Sequence, residues 1–193
     1  MKKPDINYKN IYYPPGGILM WILITLELIT FGIALIDLVA YSRENPELYH
    51  ESRLKLNTTY GAINTVFLLV SGFFMATTVH LFKQQIFDRS LFYLKLTMLG
   101  GFLFLALKTV EYYEKLKLGL TLDFNAFFSF YWLLTGFHVI HVFVGLIILS
   151  FFYFSLKKPK AQPKLEDVEA SATFWHMCDL IWLLLFPVIY LIL

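Results

Sequence analysis

The stretch TFWHMCDLIWLLLFP, residues 173–187, sets His176 and Asp179 three positions apart inside a run otherwise made of Trp, Leu, Ile and Phe. Three more groups of this kind recur in comparably apolar surroundings: Glu27 in LITLELITF, His138 with His141 in GFHVIHVF, and His80 in ATTVHLF. Residues three apart on a helix are neighbours, so His138 is expected beside His141 and His176 beside Asp179. Three kinds of chemistry fit. The groups can form hydrogen bonds between helices, each carboxyl and imidazole satisfied by a neighbour. Glu27 can handle a proton. Paired imidazoles can also hold a metal or a haem, but a bis-histidine haem needs ligands from opposing helices at matched depth. Only His80 and His176 remain to face the HVIH pair.

The elements that must carry these residues are long and apolar. Of 193 residues, 58% are hydrophobic and 16% charged, far from the quarter or so of charged residues in soluble domains. About 20 apolar residues cross the roughly 30 Å hydrocarbon layer. Five stretches qualify, at about 17–41, 59–82, 91–112, 126–155 and 170–193. Polar connections with charges or breakers separate them, such as SRENPELYHESRLKLN and KKPKAQPKLEDVE. Tyr12, Tyr13, Tyr112, Tyr113 and Tyr153 gather near span ends, where amphipathic rings prefer the headgroup region. The expectation is an all-α integral membrane protein with a polar segment at 1–16 and a five-helix transmembrane bundle at 17–193.

Lys and Arg distribution orients the bundle. Lys2, Lys3, Lys9, Lys83, Arg89, Lys157, Lys158, Lys160 and Lys164 fall on one side, against Arg43, Arg53, Lys55, Lys115 and Lys117 on the other. The richer side is expected to be cytoplasmic, which puts the N-terminus inside and the C-terminus outside. The N-terminal stretch has no apolar core followed by a small-residue cleavage site, so the first span is expected to stay. Glu27, His80, His138, His141, His176 and Asp179 then fall at the midplane or in the cytoplasmic half.

A net charge of +2 says little about partners in a membrane chain, where the distribution of Lys and Arg is what matters, and the chain has a lone cysteine. A nucleic-acid partner has no support, and neither a disulfide framework nor a cysteine metal site is available. Cys178 reads as a packing residue, Pro187 as a kink in the last span, and Lys108 with Glu111 as a solvated ion pair at the rim. Ser71, Gly72, Gly100, Gly101, Gly136 and Gly145 offer close helix contacts.

Together these stretches resemble the cytochrome c oxidase subunit III family of the haem–copper oxidases. FWHMCDLIWLLLFPVIYL is similar to the family's last helix, and FYWLLTGFHVIHVFVGLIIL to the helix with Leu-Thr-Gly-Phe-His, two residues, then His-Val. MWILITLELITFGIALIDLVAY resembles the helix with a membrane-embedded Glu, here Glu27. NTTYGAINTVFLLVSGFFMATTVH resembles the helix that follows, and in FLFLALKTVEYYE Lys108 stands where the family often has Gln. The chain looks like a short form that begins at the third helix of seven-helix members. A cytoplasmic N-terminus in such a parent gives this chain the same orientation as the charge count.

The resemblance implies a subunit in a bacterial cytoplasmic membrane that is not catalytic by itself. It would flank catalytic subunit I and stabilise it, and support proton uptake in an oxygen-reducing complex coupled to proton translocation. Glu27 would be the embedded carboxyl, and His138, His141, His176 and Asp179 the groups that hold the helices together. The chain itself would carry no haem, copper or other metal. Phospholipid could lie between its helices, although the missing first two helices remove one wall of the lipid cleft. A larger respiratory assembly stays open as a further partner. The proline after Leu-Leu-Phe is also similar to subunit III-like proteins associated with nitric oxide reductase, which keeps an accessory role in that complex as one alternative. An independent membrane b-type cytochrome is the other.

Overall fold

A computed structural model describes residues 14–157 and 164–192. The expected polar segment at 1–16 lies outside them except for its last three residues. So do Lys2, Lys3, Lys9, Lys158 and Lys160 of the charge count, and Tyr12 and Tyr13. Helices joined by short turns make up the described chain: α1 (Ile18–Glu44), α2 (Pro46–Leu54), α3 (Thr58–Lys83), α4 (Phe87–Lys117), α5 (Ala126–Lys157) and α6 (Leu165–Pro187), continued by a π-helical turn (Val188–Ile192). Five of these helices, all but α2, are long and apolar enough to cross a membrane.

Local chemistry sets the helix ends. Asn57 caps α3 by accepting from the Thr59 N–H at 3.0 Å, and the Asn125 side chain does the same for the Phe128 N–H at 2.9 Å before α5. α4 ends at Gly119, whose φ is 72°. There Leu120 N–H donates to the Lys115 carbonyl and Gly119 N–H to that of Leu116, each at 3.0 Å. The turn after α3 repeats this pattern with Gln85 at φ 63°. A side chain there costs about 1–2 kcal/mol that glycine avoids.

α2 stands where a polar connection was expected. Pro46 fits its first turn, where a missing N–H costs nothing, and the helix anchors through Tyr49, edge-on to Phe127 at 5.7 Å. Burial there pushes the Tyr49 hydroxyl above the ordinary tyrosine range. Pro187 lies at the end of α6, where the kink was expected. It ends the α-helical hydrogen bonding, and the chain continues as a wider π turn because proline lacks an N–H and crowds the carbonyl four residues back.

Small residues set the closest helix contacts. A Cβ on Gly100 would lie 2.7 Å from that of Ser71, so α3 and α4 touch there nearly backbone to backbone. The Trp175 indole from α6 fills a slot between Gly101 on α4 and Gly145 on α5. Its N–H donates to Ser71 Oγ at 3.0 Å, and Ser71 donates to the Thr97 carbonyl at 2.8 Å. One hydroxyl thus ties three helices. Gly136 has open space around it and takes no part in such a contact.

Candidate functional site: polar groups inside the helix bundle

α1 and α5 bring Glu27 to His141, with Oε1 3.3 Å from Nε2 and the side chains 23% and 12% exposed. His141 Nδ1 lies 2.8 Å from the Phe137 carbonyl, an atom that only accepts, so Nδ1 carries a proton. Nε2 is then the ring nitrogen that faces the carboxyl.

His138 does not join that pair. Three helical positions turn the chain through about 300°, leaving the two rings about 60° apart around α5. His138 points instead toward α4 and α6, fully buried, stacked on Trp182 at 5.3 Å and edge-on to Phe104 at 5.5 Å. Neither ring nitrogen has a hydrogen-bond partner among the described residues.

His176 and Asp179 do meet, with Nδ1 3.4 Å from Oδ2. Both belong to α6, so the partners expected from neighbouring helices are not what satisfies them. Asp179 is buried against Gly72 of α3, and its Oδ1 has no hydrogen-bond partner among the described residues. His176 was expected to be buried but is 44% exposed. The reason is its position on α6, between the faces that α1 and α3 cover. His80 is also exposed, its Nε2 3.0 Å from the Gln84 amide nitrogen near the end of α3. The chain's exit from the helix there leaves no neighbour to cover it.

The most enclosed polar cluster was not among the candidates. Lys108 and Glu111 on α4, read from sequence as a solvated rim pair, are 1% and 0% exposed, with Lys108 Nζ donating to Glu111 Oε2 at 3.0 Å. Lys108 also donates to the Tyr190 hydroxyl at 2.6 Å. Tyr190 and Tyr131 each donate to Glu111 Oε1, at 2.7 and 3.0 Å. The rings of Tyr112, Tyr131, Trp182 and Tyr190 surround the ammonium with centroids 5.1–5.3 Å away. The cluster joins α4, α5 and the π turn, and it occupies both oxygens of the carboxyl.

A second missed pair links Lys83 to buried Glu169 at 2.8 Å, joining the end of α3 to the start of α6. Among the described residues, no group of three His, Cys, Asp or Glu side chains is placed to hold a metal ion.

Comparison with known proteins agrees with this helical frame. The family profile described as cytochrome c oxidase subunit III matches residues 57–192. The chain is 27% identical over 173 residues to the cytochrome bo(3) ubiquinol oxidase subunit 3 of Buchnera aphidicola, covering 89% of this chain and 84% of that one. It is 29% identical over 182 residues to the heme-copper oxidase subunit I+III of Aeropyrum pernix, covering 90% of this chain and 22% of the relative. Against cytochrome c oxidase subunit 3 of Gallus gallus the identity is 33% over 129 residues, 66% of this chain and 48% of the other. The chain thus spans most of the Buchnera protein but about half or less of the other two. With the profile match running from the cap of α3 to the π turn after α6, the chain belongs to the cytochrome c oxidase subunit III family.

Proposed function

We propose that the chain is the non-catalytic third subunit of a respiratory haem–copper terminal oxidase in a bacterial cytoplasmic membrane. It lies beside catalytic subunit I and stabilises it. Nearly the whole chain aligns with part of an Aeropyrum protein whose name joins subunits I and III, and this observation carries the reading. Relatives named for ubiquinol and for cytochrome c oxidases both match, so either electron donor is compatible with it. Haem and copper would belong to the partner subunits, and phospholipid would cover the long apolar face of α1.

The orientation that fits is a cytoplasmic N-terminus and an external C-terminus, supported by the uneven distribution of Lys and Arg. In that orientation Glu27 is roughly 14 Å along α1 from its cytoplasmic end. Its pairing with His141 and its partial exposure support a role in accepting and releasing protons near the uptake side. The Lys108–Glu111 cluster, which crosses from α4 to α5 and the π turn, would hold helix register.

Extraction of a tagged chain from its native membrane in a mild detergent tests the assignment. The expected result is co-purification with a haem-containing oxidase subunit in a fixed ratio. Recovery of the chain alone, or with a nitric oxide reductase, would contradict it.

A further inference from the structure

The helices form an incomplete ring around α6. α1 packs on α5, α5 on α4 and α4 on α3, while α1, α5 and α3 all lie against α6. α1 and α3, the two ends of this arc, make no substantial contact with each other. A strip of α6 is left open between them. His176, Leu180, Leu183 and Leu184 are exposed along it at the spacing of one helical face.

The polar part of this strip lies deep in the membrane. His176 is roughly 16 Å along α6 from Leu165. Gly72, which Asp179 touches, lies roughly 21 Å from one end of α3 and 16 Å from the other. Headgroups are then about 15 Å away, half the hydrocarbon thickness.

On other exposed helix faces, threonine hydroxyls are satisfied locally. Thr25, Thr30, Thr77 and Thr109 each donate to the carbonyl four residues back on their own helix. The strip on α6 does not follow that practice. Among the described residues, His176 meets one carboxyl oxygen of Asp179 at 3.4 Å, and the other oxygen is enclosed without a hydrogen-bond partner. Acyl chains could cover the leucines but offer no hydrogen bond to either group, and an unsatisfied polar atom in hydrocarbon is costly.

We infer that the strip between α1 and α3 is a docking surface for a transmembrane helix of another subunit. That helix carries an O–H or N–H side chain at mid-membrane depth, directed at the exposed ring of His176. It closes the ring, so that α6 becomes the central helix, and its apolar side chains cover Leu180, Leu183 and Leu184. The inference rests on the proposed place of the chain in a multisubunit oxidase and adds which face meets the partner and by what chemistry.

The test is photo-crosslinking in the assembled complex in its native membrane. A benzophenone side chain replaces Leu180 or, as a control on the outer face of α5, Phe151. From position 180 the expected adduct is a peptide in a membrane-spanning segment of a second subunit, bearing a hydrogen-bonding residue near mid-span. The control does not give that peptide, and His176→Leu, a change at an exposed position, lowers the yield from position 180 at least tenfold. Adducts from position 180 only with lipid or with a second copy of the chain, in a complex still containing the haem subunit, would overturn the docking surface and leave the oxidase reading standing. A chain recovered free of other subunits would defeat both.

Discussion

The Lys108 cluster and the pairs near mid-membrane contain similar groups but treat them differently. Around Lys108 a full ion pair is closed off by tyrosines from α5 and the π turn, with both carboxyl oxygens engaged. At Glu27–His141 and His176–Asp179 each pair is long, at 3.3 and 3.4 Å, and each has a partly exposed member. Burying ions gains stability only when further hydrogen bonds satisfy them, and the first cluster meets that condition. It therefore welds helices together, whereas the second region is the one we propose for proton handling and for docking a partner.

The largest expected effect tests the weld. Lys108→Ala leaves Glu111 buried without its counter-charge and should destabilise the protein by about 3–5 kcal/mol, read as a lowered unfolding midpoint in detergent. Lys108→Gln should cost less, because a carboxamide still donates to Glu111. If Lys108→Ala were neutral, the contrast between the two regions would collapse. Next in size is Gly101→Val, which places a branched side chain where a Cβ alone would lie 2.5 Å from the Trp175 ring. A loss of about 1–3 kcal/mol is expected, with a changed environment of Trp175 visible in its fluorescence.

Gln85→Gly should act in the opposite direction, raising stability by about 1 kcal/mol by relieving the left-handed conformation at the end of α3. It serves as a control that leaves both polar regions untouched. The smallest effect on stability is expected from Glu27→Gln, about 0.6 kcal/mol, typical of one interhelical hydrogen bond in a membrane. The same change should slow oxygen turnover or proton uptake by the assembled complex. Unchanged turnover would remove Glu27 from proton handling and sharpen the comparison to one of packing alone.

The five spans were legible because a helix that crosses a bilayer must be apolar along its length, and the loops that separate them are not. α2 escaped because its short, polar sequence gains its place from tertiary contacts, chiefly Tyr49 against Phe127. Lys108 was misplaced at the rim because depth was judged from a span ending at about 112, whereas α4 continues to Lys117. The signal that could have corrected this was present in Tyr131 and Tyr190, polar-tipped residues near the same end of two other spans. His176 and Asp179 were recognised as polar groups at depth. Their exposure depends on which faces of α6 the other helices cover, and a helical period alone does not contain that information.

The most direct test of the central claim, that the chain serves a redox complex without holding its redox centre, is an absorption spectrum. The purified complex and the chain stripped from it are compared at equal protein concentration. The account predicts a Soret band in the complex that stays with the partner subunits and is absent from the isolated, folded chain. A Soret band in the isolated chain that disappears when His138 or His141 is replaced would contradict it.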